Sequence, residues 1–148
     1  MRKSLVSFTD EVLHNKCEKV PYNDKEIVQT VLDSFVSRVM LGLSAPQIGL
    51  PYQCAVCQFE DGLEVVCNPE IEYLGNEIVS TERCMSYPNF VCKVKRYDKV
   101  RLKYYNQHWQ LCERVLQGLD ACIAQHEYDH LQGITMMDKA IKKAFKRG

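Results

Sequence analysis

The feature that most constrains this chain is His126-Glu127-Tyr128-Asp129-His130. Residues four apart on a helix share a face and lie about 6 Å apart along the axis. Two imidazoles at that spacing converge on one metal ion, and the glutamate between them lands beside it as a proton acceptor. Leu119, Ile123, His126 and His130 are spaced by four, three and four, so the histidines continue an apolar stripe. Such a stripe faces inward. A pair of histidines there needs a partner of comparable polarity, because buried polar groups are costly when unpaired. Histidines on that stripe are either metal ligands or unusually polar core residues, and the paired spacing with the glutamate favours a metal.

Zinc peptidases share the H-E-x-x-H pattern, so the third ligand decides the reaction class. Residues 131–148 contain no His and no Glu. Asp138 is the only carboxylate among them, a poor candidate, which directs attention upstream.

The chain has 148 residues, enough for one domain with a real core. Nineteen basic residues balance nineteen acidic ones, so no overall field recruits DNA or anionic lipid. No stretch approaches a membrane span, and Met1-Arg2-Lys3-Ser4-Leu5-Val6 lacks the apolar run of a signal peptide. An intracellular, cytoplasmic protein is expected. Eight cysteines are then read as buried thiols rather than disulfides. Cys54 and Cys57 form a C-x-x-C pair, which elsewhere marks zinc knuckles or redox pairs. No second pair complements it, and residues 53–59 read as a buried strand.

An amphipathic helix is expected from Asp24 to Leu41, with Asn23 and Glu26 as a capping box and Gly42 as its end. Strands are expected at 53–59, 63–73, 76–82, 90–95, 98–106 and 109–116. Turns are expected at Asp61-Gly62, Gly75-Asn76 and Asn106-Gln107. A second helix runs over Gly118–Leu131 and stops before Gly133. The composite is a single α+β domain over 1–148, with mostly antiparallel β-sheets packed around a central H-E-x-x-H helix. A basic tail of Lys139, Lys142, Lys143, Lys146 and Arg147 reads as a solvated helix end or frayed terminus. Its alternative is contact with an RNA-rich surface.

Glu82-Arg83-Cys84-Met85-Ser86 resembles the E-G-C-L-S segment of peptide deformylases, and Gly42-Leu43-Ser44-Ala45-Pro46-Gln47-Ile48-Gly49 resembles that family's G-L-A-A-P-Q-I-G loop. Gln125-His126-Glu127-Tyr128-Asp129-His130 matches its Q-H-E-x-D-H helix. The motifs follow the family's order, with weaker likeness at Asn68-Pro69-Glu70 and Leu5-Val6-Ser7-Phe8. The resemblance implies removal of the formyl group from N-formyl-methionyl peptides at one divalent metal ion. It assigns Cys84, His126 and His130 as ligands, which leaves a fourth position for water. Iron(II) is the implied cellular metal, with zinc, nickel or cobalt able to take its place.

By the same resemblance, Glu127 takes a proton from the attacking water and returns one to the departing amine. The side-chain amide of Gln47 and the backbone N–H of Met85 stabilise the oxyanion. Gly42 runs alongside the substrate backbone. Leu119, Cys122 and Ile123, with Leu41, are placed to line the methionine pocket, although core packing would equally account for them. Arg83 replaces the family's glycine and must point to solvent or over the entrance. Arg96 is a candidate partner for Glu82. The short C-terminus is similar to compact forms encoded by some bacterial viruses, and transient ribosome contact is a further implication. The rival readings are a small H-E-x-x-H peptidase and a metal-binding protein without catalysis.

Overall fold

The computed structural model describes residues 1–145. Among the described residues nine segments carry regular structure beyond short 3₁₀ turns: β1 (Gly42–Ser44), β2 (Cys54–Phe59), β3 (Gly62–Cys84), β4 (Tyr87–Tyr105), β5 (Leu111–Gln117) and β6 (Ala140–Phe145), with α1 (Glu26–Ser34), α2 (Gly118–Leu131) and α3 (Met136–Lys139). The strands form one six-stranded antiparallel sheet in the order β1-β2-β3-β4-β5, with β6 on β4. The α+β class and the antiparallel pairing agree with expectation. The strands make one sheet, not several.

β3 and β4 are much longer than the segments expected from the sequence. Gly75-Asn76 is not a hairpin turn. It is a slip in register between Leu74, opposite Lys99, and Glu77, opposite Tyr97. The extra residue is absorbed as a bulge that bends the strand without ending it. Asp98 Oδ1 holds the irregularity by accepting from the backbone N–H of Asn76 at 2.8 Å. β3 pairs with β2 only through Gly62–Cys67, where β2 reaches its first residue, Cys54. Its later half runs on beyond β2, which leaves the edge near Ser80–Cys84 facing the space above α2.

α1 is shorter than its apolar stripe suggests. Asp24, not Asn23, caps it by accepting from Ile27 N–H at 3.0 Å. The helix ends at Ser34 because Phe35 turns extended, and Gly42 already belongs to β1. Gln58 holds the departing segment, donating through Nε2 to the carbonyls of Ser37 and Met40 at 3.2 and 3.0 Å. Those contacts fix the turn that leads from α1 into β1.

α2 has the expected bounds. Gly133 follows with φ 77°, and a Cβ there would meet the Asn15 backbone at 2.6 Å. The helix thus ends where only glycine fits both backbone and neighbour. From Ala121 to Leu131 α2 is buried on nearly every side. Ala121, Ile123 and Ala124 join Val66, Val100, Leu102 and Leu116 in the central core. A second core lies between α1 and the β1–β2 face, built on Val28, Val31, Leu43 and Val56.

Cys54 belongs to that second core and Cys57 to the central one. Three residues apart on a strand, they point to opposite faces and cannot share a metal. The basic tail is not a helix end within the described residues: Ala140–Phe145 is an edge strand, with Phe145 edge-to-face on Phe90. Lys146 and Arg147 lie outside the described residues. No described helix is long and apolar enough to cross a membrane.

Candidate metal centre and cleft

Cys84 ends β3 where Met85 and Ser86 turn the chain into β4. His126 and His130 stand one turn apart on α2, with ring centroids 5.0 Å apart. The cysteine sulfur and one ring nitrogen from each histidine lie within 4.8 Å of one another. His130 Nε2 is 3.4 Å from Cys84 Sγ. No spacing rule could place Cys84 here from so far away in sequence. The β3–β4 hairpin carries it over the helix.

The surrounding polar groups orient this cluster. His126 Nδ1 is 2.9 Å from Glu82 Oε1. A carboxylate only accepts, so Nδ1 carries the proton of that bond and Nε2 keeps its lone pair. Arg96 grips both oxygens of Glu82, each at 2.8 Å, and reaches Asp129 Oδ2 at 2.5 Å. The suggested Arg96–Glu82 pair is therefore present, and it extends to α2 through Asp129. Lys139 closes the network on Asp129 at 3.0 Å. Burial alone would raise the Glu82 carboxyl, but Arg96 and His126 outweigh it and hold it down at about 2.

Burial also pushes against ionisation of Cys84, yet the charge of His130 and the bonds to both histidines hold the thiol well below its ordinary value. A thiolate flanked by imidazoles is a donor set suited to a borderline divalent ion. Burial raises the Glu127 carboxyl, with the histidines opposing and Cys84 and Glu82 adding to the rise. Glu127 Oε1 and His130 Nδ1 are buried without a hydrogen-bond partner among the described residues. A buried acceptor left open beside three convergent ligand atoms fits a metal site with an adjacent proton acceptor. Asp138 is engaged elsewhere: its carboxylate caps α3 by accepting from Thr135 N–H at 2.8 Å. This removes it as a ligand candidate.

A cleft of about 480 Å³ opens beside the cluster. Its walls are the Val39–Gly42 segment on one side and Ser80–Met85 on the other, with α2 as the floor. The candidate ligands, catalytic groups and substrate-contacting residues named from the sequence all lie on it except His130, which is fully buried behind Cys84. Cys122 and Ile123 are nearly buried on the floor. Leu119 is 63% exposed at the mouth, as is Leu41 at 54%. Leu119 is thus not part of an inward stripe, and core packing does not explain it. Met85 is on the hairpin tip, and Arg83 is exposed on the wall.

Gln47 is buried in a 3₁₀ turn (Ala45–Ile48) that carries Pro46 near its start and is closed by Ser44. Its Oε1 accepts from Ser44 N–H and Oγ at 2.9 and 3.0 Å. With the oxygen so engaged, Nε2 points the other way, donating to Ser86 Oγ at 3.0 Å and facing Cys84 Sγ at 3.5 Å. The amide orientation is therefore fixed in advance. Sequence reasoning named Gln47 but missed Ser44 and Ser86 as its anchors, and missed Glu82 as the partner of His126. Serines and a glutamate carry no distinctive spacing. Only the fold reveals what they touch.

The family model described as Polypeptide deformylase matches residues 2–146. A peptide deformylase of Aquifex aeolicus is 34% identical, over 94% of this chain and 88% of its own length. That of Thermoanaerobacter pseudethanolicus is 38% identical, over 90% and 86%. Among solved structures, the peptide deformylase of Synechococcus elongatus in complex with actinonin superposes with a TM-score of 0.88 at 31% identity, covering 95% of this chain and 79% of its own. The Thermotoga maritima peptide deformylase gives 0.88 at 28%, covering 96% and 99%. Sequence, fold and cleft agree, and the chain belongs to the polypeptide deformylase family.

Proposed function

We propose that the cleft is the active site of a metal-dependent hydrolase in which Cys84, His126 and His130 hold one divalent ion. The chain, as a family member, removes the N-formyl group from nascent peptides. The observation that carries the residue assignment is the convergence of those three ligand atoms within 4.8 Å beside the unpartnered Glu127 oxygen. When bound, a divalent ion there polarises the formyl carbonyl and acidifies water. Iron(II) is the proposed cellular metal, with zinc, nickel and cobalt as substitutes, since a thiolate with two imidazoles suits all of them.

Each side chain then has a task. Glu127, its affinity for protons raised by burial, accepts a proton from the attacking water and returns one to the departing amine. Gln47 Nε2–H, set by Ser44 and Ser86, donates to the developing oxyanion, together with the N–H of Met85 at the hairpin tip. The methionine side chain enters over Leu119, Cys122 and Ile123, with Leu41 across the mouth and the backbone along Gly42. Residues 1–148 constitute one catalytic domain that acts on N-formyl-methionyl peptides in the cytoplasm, with transient contact at the ribosome.

The test is release of free amine from formyl-Met-Ala-Ser by protein loaded with iron(II) or nickel under anaerobic conditions. Formyl-specific turnover that is lost in Glu127→Ala and absent on the acetylated peptide supports the reading. Full metal occupancy without turnover would refute it, and so would a Cys84→Ala protein that loses metal yet keeps activity.

A further inference from the structure

The cleft has one wall whose charge the proposed chemistry does not use. Arg83 sits between the buried Glu82 and Cys84, where the register slips from Glu82 opposite Cys92 to Cys84 opposite Tyr87. Alternation along β3 buries its two neighbours and sends Arg83 to the open side. A second recess shares Val39, Met40 and Met85 with the cleft, and Arg2, Lys3 and Arg38 line it. Among the described residues, no carboxylate lies within ion-pairing distance of any of these four cations. The two carboxylates on the cleft are turned inward: Glu82 is held by Arg96, and Glu127 is buried. The mouth is therefore cationic in a chain whose net charge is zero.

We infer that Arg83 makes the enzyme selective for formylated peptides carrying Asp or Glu at one of the two positions after the methionine. This rests on the deformylase reading above. A peptide whose formyl carbon lies beside Cys84 and Glu127, with its methionine over Leu119 and Cys122, has its next residues at the mouth. Two extended residues span about 7 Å, so their side chains pass the wall from which Arg83 projects. A guanidinium offers a carboxylate two parallel donors, which glycine cannot. The recess beyond Met85 adds a field of the same sign and disfavours lysine or arginine at those positions.

The experiment compares kcat/KM for four amidated peptides: formyl-Met-Ala-Ser, formyl-Met-Asp-Ser, formyl-Met-Ala-Asp and formyl-Met-Lys-Ser. Amidation removes the terminal carboxylate that would itself attract Arg83. The better acidic peptide should exceed the lysine peptide by about two- to fivefold, the scale of one exposed ion pair. The difference should appear mainly in KM and shrink as salt is raised. Arg83→Gly should bring the ratio toward one, and Arg83→Glu should invert it. Calorimetric binding of the same peptides to metal-loaded Glu127→Gln should show the same order without turnover. Equal turnover of all four peptides overturns this inference alone. A preference that survives both Arg83 variants overturns the assignment to Arg83. Absence of turnover on every peptide with metal bound overturns the deformylase reading and this inference with it.

Discussion

Gly42 is the surface against which Glu127 rests: a Cβ built on Gly42 would lie 2.5 Å from Glu127 Oε2 and 2.9 Å from its carboxyl carbon. The sequence suggested that Gly42 is bare so that substrate can approach. The fold adds a second reason. Gly42 is in β1 and Glu127 in α2, and the carboxylate occupies the space that any other residue would fill. Gly42→Ala must therefore displace Glu127. The three atoms nearest that Cβ all belong to the Glu127 side chain, and none to the proposed ligands Cys84, His126 and His130. We expect kcat on formyl-Met-Ala-Ser to fall by roughly tenfold or more, since small misplacements of a proton acceptor are costly. Metal content measured on the same sample should stay at one ion per chain. Joint loss of metal and activity would show that Gly42 supports the ligands instead.

Glu82 fixes His126 through Nδ1 and is itself fixed by Arg96. Outer partners of this kind set the tautomer and basicity of a ligating imidazole. Glu82→Gln should weaken metal affinity by roughly tenfold or more, measured by competition with a chelator. Unchanged affinity would mean that Glu82 serves packing alone.

Acid stability should carry the same signature. The Glu82 carboxyl drops from 4.5 to about 2 on folding. Its folded value is the depressed one, so its contribution is complete above about pH 4.5 and is lost as pH falls toward 2. With the side chain 8% exposed, the shift corresponds to about 3 kcal/mol. Urea unfolding of the metal-free protein across that window should show the loss, and Glu82→Gln should flatten it. An unaltered pH slope in the variant would remove Glu82 as its source.

Arg96 is buried between two carboxylates, Glu82 and Asp129. Arg96→Met would leave both without their main cation, at a cost of about 3–5 kcal/mol. Calorimetric melting should register this as a large fall in Tm even in metal-free protein. A change confined to the metal-loaded form would place the role of Arg96 in the site rather than the fold.

At the far edge of the sheet, Phe145 packs edge-to-face on Phe90 with centroids 5.6 Å apart. Phe145 is 64% exposed, so Phe145→Ala should cost only about 1 kcal/mol. Activity should hold, because β6 forms no wall of the cleft. Loss of activity at full stability would connect this edge to the site.

The sequence by itself determined the parts whose physics is local. The i, i+4 histidines with their glutamate lie on one helix, and Gly118 to Leu131 carries enough local signal to fix that helix to the residue. Cys84 and Gln47 were reachable only because three segments together resembled a family, not because any spacing rule relates them to His126. The bulge at Gly75-Asn76 read as a turn, since glycine beside asparagine favours both and only pairing with Lys99 and Tyr97 chooses between them. α1 was overextended because its apolar stripe continues past Ser34, where the backbone of Phe35 turns extended and ends the helix. The edge strand at Ala140–Phe145 was missed because its alternation is weak, and the exposed edge of β4 supplies the partner that fixes it. Glu82 on His126, Ser44 and Ser86 on Gln47, and Gly42 under Glu127 were decided by tertiary structure alone. Each joins groups through space, and a hydrogen bond or a close packing contact leaves no period in the chain to read.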